Sequence, residues 1–339
     1  MKSVRAFATG AFVVACLHLV FGAIVRISGS GMGCGDHWPR CYGSFFPPMN
    51  RPDLIVEVSH RYLASILLLS LIATLVSAWR HRSELGVAGR GGVLRMAALA
   101  VALGFCAALL GAVTVKLGNA PFATLAHWTV AMSLVATTVA TLIRAGGLGG
   151  TSARIGGVSA KTKRGAFGGA AMALLTVVMG GLTAKYPGAA VACRSIPLCG
   201  RNPDVAAGAV HVQLTHRVLA VLVVLHLIGL AIGIHRRNEA RIARAAAKTA
   251  VALGIIQLLV ASAMILRALP PVLRSLHEAT GVSIWIATFA LAYLARIAGG
   301  GSAVALTGET GPLVGGTRHA PRDEHARVSG MSAPRGAES

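Results

Sequence analysis

Long apolar runs alternate with short polar segments along most of this chain. Each run is near 20 residues, which is enough to cross a hydrocarbon core of about 30 Å as a helix rising about 1.5 Å per residue. Backbone polar groups in lipid must be satisfied within the segment, so we expect helices and not strands. The pattern predicts eight membrane-spanning helices, at about residues 6–27, 57–79, 93–115, 122–143, 166–184, 211–234, 249–268 and 276–297.

The composition supports a membrane protein. Hydrophobic residues make up 55% of the chain and charged residues 13%, against about 25% charged in soluble domains. The first apolar run follows Lys2 and Arg5, as in a signal peptide, but it continues to about Val25. That is longer than the roughly 7–15 residues of a signal-peptide core. We therefore interpret it as the first spanning helix.

The basic residues are concentrated in alternate loops. Most of the 32 Lys and Arg lie before the first helix, in 80–95, 144–164 and 235–248, and after 296. Such a bias places these segments, and both termini, on the cytoplasmic side of the cell (plasma) membrane. A net charge of +21 could also indicate a nucleic-acid-binding tail. Contact with anionic lipid explains the positive charge without a nucleic-acid-binding tail. We therefore expect the lipid bilayer as partner and no nucleic acid.

The two halves of the chain repeat each other around a Gly-rich basic segment, 144–165. In the first half GMGCGDHWPRCYG precedes VEVSHRYLASILL; in the second AVACRSIPLCG precedes HVQLTHRVLAVLV. Four helices per repeat return the chain to its starting side, so the copies share one orientation about an axis along the membrane normal. We predict an all-α integral membrane fold of two tandem four-helix bundles, 1–143 and 166–297, related by this pseudo-two-fold axis. The linker 144–165 is cytoplasmic, and 298–339 is a disordered cytoplasmic tail.

One histidine lies near the start of the second and fourth helix of each half. They are His60, His127, His216 and His277, all towards the outer side in this topology. Polar side chains in spanning segments are costly and face the bundle interior. Imidazoles from two helices at matching depth can hold a heme iron from both faces. The alternative is four interfacial histidines in contact with headgroups. His18 and His226 lie mid-helix without repeat partners, and we expect satisfied core histidines there.

Charged residues next to these histidines differ between the halves. Arg61 and Arg217 follow them, where they could pair with heme propionates or be ordinary interfacial arginines. Glu57 lies one turn before His60, whereas the second half has Gln213 at the matching place. Oxidative chemistry needs a base or a charge stabiliser, and an electron-relaying heme does not. We therefore assign catalysis to the first half, with capping of a helix N-terminus as the alternative role of Glu57.

Each outer loop that precedes these histidine helices contains two cysteines. In an oxidising compartment they predict the disulfides Cys34–Cys41 and Cys193–Cys199, either structural or redox-active. Metal binding with His37 is the alternative, although two thiols and one imidazole are an incomplete zinc set.

These motifs resemble a known family. GAIVRISGSGMGCGDHWPRCYGSFFPP with IVEVSHRYLAS, and ACRSIPLCG with HVQLTHRVLA, are similar to the two repeat signatures of the heme A synthases. The resemblance implies an enzyme, an oxidoreductase that converts the peripheral methyl group of heme O to the formyl group of heme A for terminal oxidases. It also implies heme O as substrate at His60 and His127 with Glu57 as key carboxylate, and heme b at His216 and His277.

The expected partners follow from the same resemblance. They are heme O synthase upstream, an unidentified electron donor or acceptor, and the hemes themselves. A homo-oligomer is also compatible with the resemblance. An iron held by two histidines has no free position. Either one histidine dissociates, or electrons leave the porphyrin remotely and water adds to the methyl carbon. A di-heme b-type membrane electron carrier is the alternative function, and a heme or small-molecule transporter a third.

Overall fold

The computed structural model describes residues 1–48, 50–89, 91–155 and 157–298, and this part of the chain is helical. The predicted tail after 298 lies outside the described residues. The α-helices, in chain order, are α1 (Lys2–Ile27), α2 (Pro52–Arg80), α3 (Val93–Lys116), α4 (Pro121–Arg144), α5 (Gly150–Ile155), α6 (Ala160–Lys185), α7 (Ala207–Arg236), α8 (Arg241–Leu266) and α9 (Pro271–Ile297).

Eight of these helices are long and apolar enough to cross a membrane, which confirms the predicted number. They extend beyond the apolar runs by up to eight residues, because the polar ends continue the same hydrogen-bonded ladder. The helix expected from 166 begins at Ala160, where the Ser159 hydroxyl accepts the Thr162 amide N–H as an N-cap. The linker 144–165 also contains α5. The protein is a multi-pass membrane protein.

The helices of each half pack in the same order. In the first half α1 contacts α2 and α4, and α3 contacts α2 and α4; in the second half α6, α7, α8 and α9 repeat these contacts. The halves meet through α1, α4, α6 and α9. The central α4 buries 61% of its most apolar 18 residues and α9 buries 44%, whereas α3 and α8 bury 11% each. The fourth helix of each half is therefore central, and the third faces outwards.

The interface between the halves contains a buried hydrogen bond. The indole of Trp285, 5% exposed on α9, donates to the carbonyl oxygen of Met132 on α4 at 3.1 Å. Ala170 and Ala173 of α6 are buried in the same cluster, and such small side chains let membrane helices approach closely. This core fixes α4 and α9 against each other, and with them the histidines that they carry.

The loops after α1 and α6 begin with the same backbone turn. Gly29 (φ 73°) and Gly188 (φ 75°) each precede a short 3-10 turn, Ser30–Met32 and Ala189–Val191. Positive φ is accessible to glycine without a Cβ penalty. The chain therefore turns sharply at the end of the helix, and the cysteine loop that follows contacts the next helix of the same half.

A buried carboxylate connects the α7–α8 loop to the start of α6. Glu239 accepts hydrogen bonds from Ser159 (N at 2.9 Å, Oγ at 2.5 Å), from Thr162 Oγ1 at 2.9 Å and from Arg237 Nε at 2.9 Å. Burial alone would raise the pKa of Glu239, but these donors together lower the pKa to about 2. The ionised form is thus the one that stabilises the fold.

This site gives a pH prediction. Since the folded pKa is depressed, the stabilisation is complete above the unfolded pKa of about 4.3 and is lost as the pH falls towards 2. Glu239→Gln should lower the free energy of unfolding by about 1–3 kcal/mol at neutral pH and flatten its fall between pH 4 and 2. Unfolding in detergent followed by tryptophan fluorescence measures both effects. The control is Asp204→Asn, whose side chain is 78% exposed; equal effects of the two variants would contradict the prediction.

Candidate functional site

The four predicted histidines lie in two places, one in each half. His60 on α2 and His127 on α4 belong to the first half; His216 on α7 and His277 on α9 belong to the second. All four are partly buried near the N-terminal ends of their helices. The helix order within each half therefore brings the second and fourth helices, and their imidazoles, to the same end of the bundle.

The second pair has a spacing that suits one iron. The ring centres of His216 and His277 are 6.3 Å apart, and the ring planes are nearly perpendicular at 81°. Two imidazoles that share one metal ion through bonds of about 2 Å have ring centres roughly 6 Å apart. The residues of the second half thus fit a heme iron between these two rings.

Backbone carbonyls orient two of the four rings. His127 Nδ1 lies 2.9 Å from the Ala107 carbonyl oxygen, and His216 Nδ1 lies 3.1 Å from that of Thr176. Each Nδ1–H therefore donates to a neighbouring helix. The hydrogen bond fixes the tautomer and leaves Nε2 as the nitrogen for a metal.

Gln257 of α8 orients the third ring, His277. Its Nε2 lies 3.1 Å from His277 Nδ1 and donates to the His277 carbonyl oxygen at 3.0 Å. Gln257 was not predicted from the sequence. Its position within an apolar run could have indicated a role, because a polar side chain in an apolar helix is costly unless it has a partner in the bundle.

His60 is held differently, and this corrects the interpretation of His18. The two rings stack in parallel, with centroids 4.2 Å apart and planes at 9°. The Nδ1 atoms of both are buried and have no hydrogen-bond partner among the described residues. His18 is therefore not a satisfied core histidine but part of the first site. By contrast, His226 Nε2 lies 2.8 Å from the Gly165 carbonyl oxygen, as expected of a satisfied one.

Glycines on neighbouring helices make room for three of these rings. A Cβ at Gly22 would lie 3.2 Å from His60, one at Gly111 3.3 Å from His127, and one at Gly180 3.0 Å from His216. Such distances are tighter than ordinary carbon contacts of about 3.5–4.0 Å. The sequence analysis did not single out these glycines, because their role depends on which helices are neighbours.

Glu57 and Gln213 make the same contact in the two halves. Glu57 Oε2 accepts the backbone N–H of Cys34 at 2.8 Å, and Gln213 Oε1 accepts that of Cys193 at 2.5 Å. Both side chains are buried. The N-cap of α2 is Arg51, so Glu57 does not cap its own helix; it anchors the cysteine loop. The second oxygen of Glu57 pairs with Arg61, whereas the amide nitrogen of Gln213 donates to the Ala190 carbonyl oxygen at 3.4 Å.

The two arginines are also engaged with the loops. Arg61 donates to the carbonyl oxygens of Pro39 (2.9 Å) and His37 (3.0 Å) and pairs with Glu57 Oε1. Arg217 donates to the carbonyl oxygens of Ser195 (2.8 Å) and Cys193 (3.2 Å). Its Nε is buried and has no partner among the described residues. Each guanidinium thus fixes a loop above its histidine helix.

The predicted cysteine pairs are confirmed as disulfides. Cys34 and Cys41 are bonded with Cα atoms 5.0 Å apart, and Cys193 and Cys199 with Cα atoms 4.5 Å apart. A zinc site on the first pair with His37 is therefore excluded in this form, since both thiols are used. His37 Nδ1 instead lies 3.1 Å from the Cys34 carbonyl oxygen.

A buried ion pair joins the halves beside the second site. Arg26, at the end of α1, pairs with Glu278 of α9, which directly follows His277. The side chains are 18% and 8% exposed. Neither partner was recognised from the sequence, because the two residues are 252 positions apart. The pair places a fixed charge of each sign next to a candidate ligand.

Comparison with known proteins gives consistent matches. The family of cytochrome oxidase assembly proteins (COX15-CtaA) matches residues 5–289, which include both halves. A heme A synthase of Shouchella clausii is 29% identical over 214 residues, or 62% of this chain and 69% of the relative. One from Halalkalibacterium halodurans is 30% identical over 67% of this chain and 74% of the relative. One from Geobacillus kaustophilus is 27% identical over 68% and 72%.

The Arg26–Glu278 pair leads to a stability prediction. Glu278→Gln leaves a guanidinium without its counter-ion in an apolar interface, and should lower the free energy of unfolding by roughly 3 kcal/mol. Reversible unfolding in sodium dodecyl sulfate measures this. The control is Asp53→Asn, which breaks the exposed pair with Arg51 and should have a much smaller effect. Equal losses in the two variants would show that the buried pair contributes nothing beyond a surface contact.

Proposed function

Because this chain belongs to the cytochrome oxidase assembly protein family, we propose that it is a heme A synthase. In this proposal it oxidises the peripheral methyl group of heme O to the formyl group of heme A, for the biogenesis of terminal oxidases. The names of its curated relatives support an oxidoreductase that acts on heme. The observation that carries the proposal concerns one contact that both halves make with their cysteine loops. In the first half an ionisable residue, Glu57, makes this contact, whereas in the second half Gln213 makes it.

We assign the substrate site to the first half and a resident heme b to the second. His216 and His277 would hold heme b, an assignment supported by their 6.3 Å ring spacing. His60 and His127 would hold heme O. The bound hemes supply one-electron chemistry at iron and, in heme O, the carbon to be oxidised. The protein supplies the ligands, their orientation and the charge around them.

Glu57 is the residue we assign to the chemistry itself. Oxidation of a methyl carbon releases protons and withdraws electrons, so positive charge develops near that carbon. A buried carboxylate stabilises such charge and accepts a proton. Arg61 pairs with Glu57, and the Cys34 N–H donates to its other carboxylate oxygen, so the side chain is held in one position. Gln213 keeps the position but cannot accept a proton, as suits an electron-relaying site.

Arg61 and Arg217 are the cationic residues we assign to heme propionates. They lie on the side where basic residues are otherwise few, and the unpartnered Arg217 Nε leaves one buried donor for a carboxylate. The carbonyl contacts that each arginine makes already fix its position, so propionate binding would cost little additional ordering of the side chain.

The expected location follows from charge. We propose the plasma membrane, with both termini cytoplasmic and the heme sites towards the outer side, because Lys and Arg accumulate in the loops of one side. Heme O synthase would deliver the substrate, and an electron donor or acceptor of unknown identity would complete the reaction. A homo-oligomer is compatible with the exposed α3 and α8 faces. No observation favours the di-heme electron carrier or the transporter.

Glu57→Gln tests the proposal, because it gives the first half the residue of the second. Gln213 shows that an amide at this position still accepts the loop N–H, so the fold and the heme content should be preserved. Formation of heme A should fall by at least about 100-fold. The measurement is mass analysis of hemes extracted from membranes of cells that also express heme O synthase.

The matched control is Gln213→Glu, which should leave heme A formation within about twofold of the parent protein. Normal heme A output from Glu57→Gln would refute the catalytic role. Retention of both hemes without any hydroxylated or formyl product from the parent protein would support the electron carrier instead.

A further inference from the structure

His60 differs from the other three candidate ligands in how its ring is held. His127 and His216 donate Nδ1–H to backbone carbonyls, whereas His277 Nδ1 accepts a hydrogen bond from the side-chain amide of Gln257, which fixes the ring without a donor bond from Nδ1. His60 Nδ1 is buried, and within the described part of the chain nothing hydrogen-bonds to it. Since a donor bond from Nδ1 fixes a ring and raises its basicity as a ligand, His60 lacks both effects.

Ring stacking takes the place of that hydrogen bond. His18 lies parallel to His60 at a centroid distance of 4.2 Å, and Phe21 is also parallel to it at 6.4 Å. Gly22 leaves the space for this approach, because a Cβ there would be 3.2 Å from His60 Cε1. One face of α1 therefore fixes the plane of the His60 ring without any polar contact.

The second half uses the equivalent helix in another way. Thr176 lies four residues before Gly180, as His18 lies four residues before Gly22, and these glycines contact His216 and His60 respectively. At Thr176 the backbone carbonyl accepts the proton of His216 Nδ1. The same structural position thus provides an acceptor in one half and a stacked imidazole in the other.

We propose that His60 is the axial ligand that leaves the iron of the substrate heme, and that His18 is the positioning residue that returns it. This inference rests on the proposed function. Stacking restricts rotation of the ring but does not strengthen the bond from Nε2 to the iron. The bond between the iron and His60 would therefore break more easily than the bond between the iron and His127. Departure of His60 opens a position at an iron that is otherwise closed by two histidines.

Carbon monoxide binding tests this in the purified full chain with its bound hemes, reduced anaerobically with dithionite. Under excess carbon monoxide, the binding rate at a six-coordinate iron reports how fast its protein ligand dissociates. We expect two phases, and the faster one should disappear in His60→Ala.

His18→Ala removes the stack and should accelerate the faster phase roughly fivefold. His18→Phe keeps a ring and should stay within about twofold of the parent protein. The slower phase should not change in either.

A matched control is His226→Phe, a mid-helix histidine of α7 bonded to the Gly165 carbonyl oxygen, which should alter neither phase. An unchanged rate in His18→Ala, or equal acceleration in His18→Ala and His18→Phe, would overturn the stacking role. Failure of the proposed function is seen separately: the parent protein expressed with heme O synthase would then yield no hydroxylated or formyl heme, whatever the carbon monoxide rates.

Discussion

A polar side chain in the apolar part of this protein can be satisfied only by partners within the protein itself, and the candidate sites depend on that constraint. Water is not available to satisfy a ring nitrogen or a carboxylate there. Two imidazoles use backbone carbonyls of neighbouring helices, at Ala107 and Thr176. The bonded ring cannot turn, so its second nitrogen points in one direction. The helix packing therefore fixes the orientation that the proposed heme ligation needs.

The same constraint explains how two similar halves acquire different chemistry. Both have a disulfide loop anchored by a buried side chain one turn before a histidine, Glu57 in one and Gln213 in the other. Because the loop contact is common to both halves, the charge at this position differs between them with little effect on the fold. The His18 ring stacked on His60 is a second difference between the halves. The first half thus combines a charged neighbour with a candidate ligand whose Nδ1 has no hydrogen bond among the described residues.

The sequence predicted the parts that depend on local pattern. The eight helices, the two cysteine pairs and the histidine positions follow from hydropathy, spacing and repetition. Contacts between distant segments were not predictable: the Arg26–Glu278 pair, Gln257 beside His277, and His18 stacked on His60. Periodicity shows which face of a helix is apolar but not which helix it meets. The pseudo-two-fold axis and the roles of the site residues stay predictions.

Polar contacts across the interface argue that the two halves fold as one unit. Arg26 belongs to the first half, but its counter-ion Glu278 lies in the second. Likewise, the indole N–H of Trp285 finds its acceptor at Met132 of the other half. A half folded alone would leave these groups unpaired in an apolar surface, at a cost of about 1–3 kcal/mol for a neutral donor and more for a charge. The division at 144–165 therefore marks a repeat in the sequence, whereas the stability of each half depends on the other.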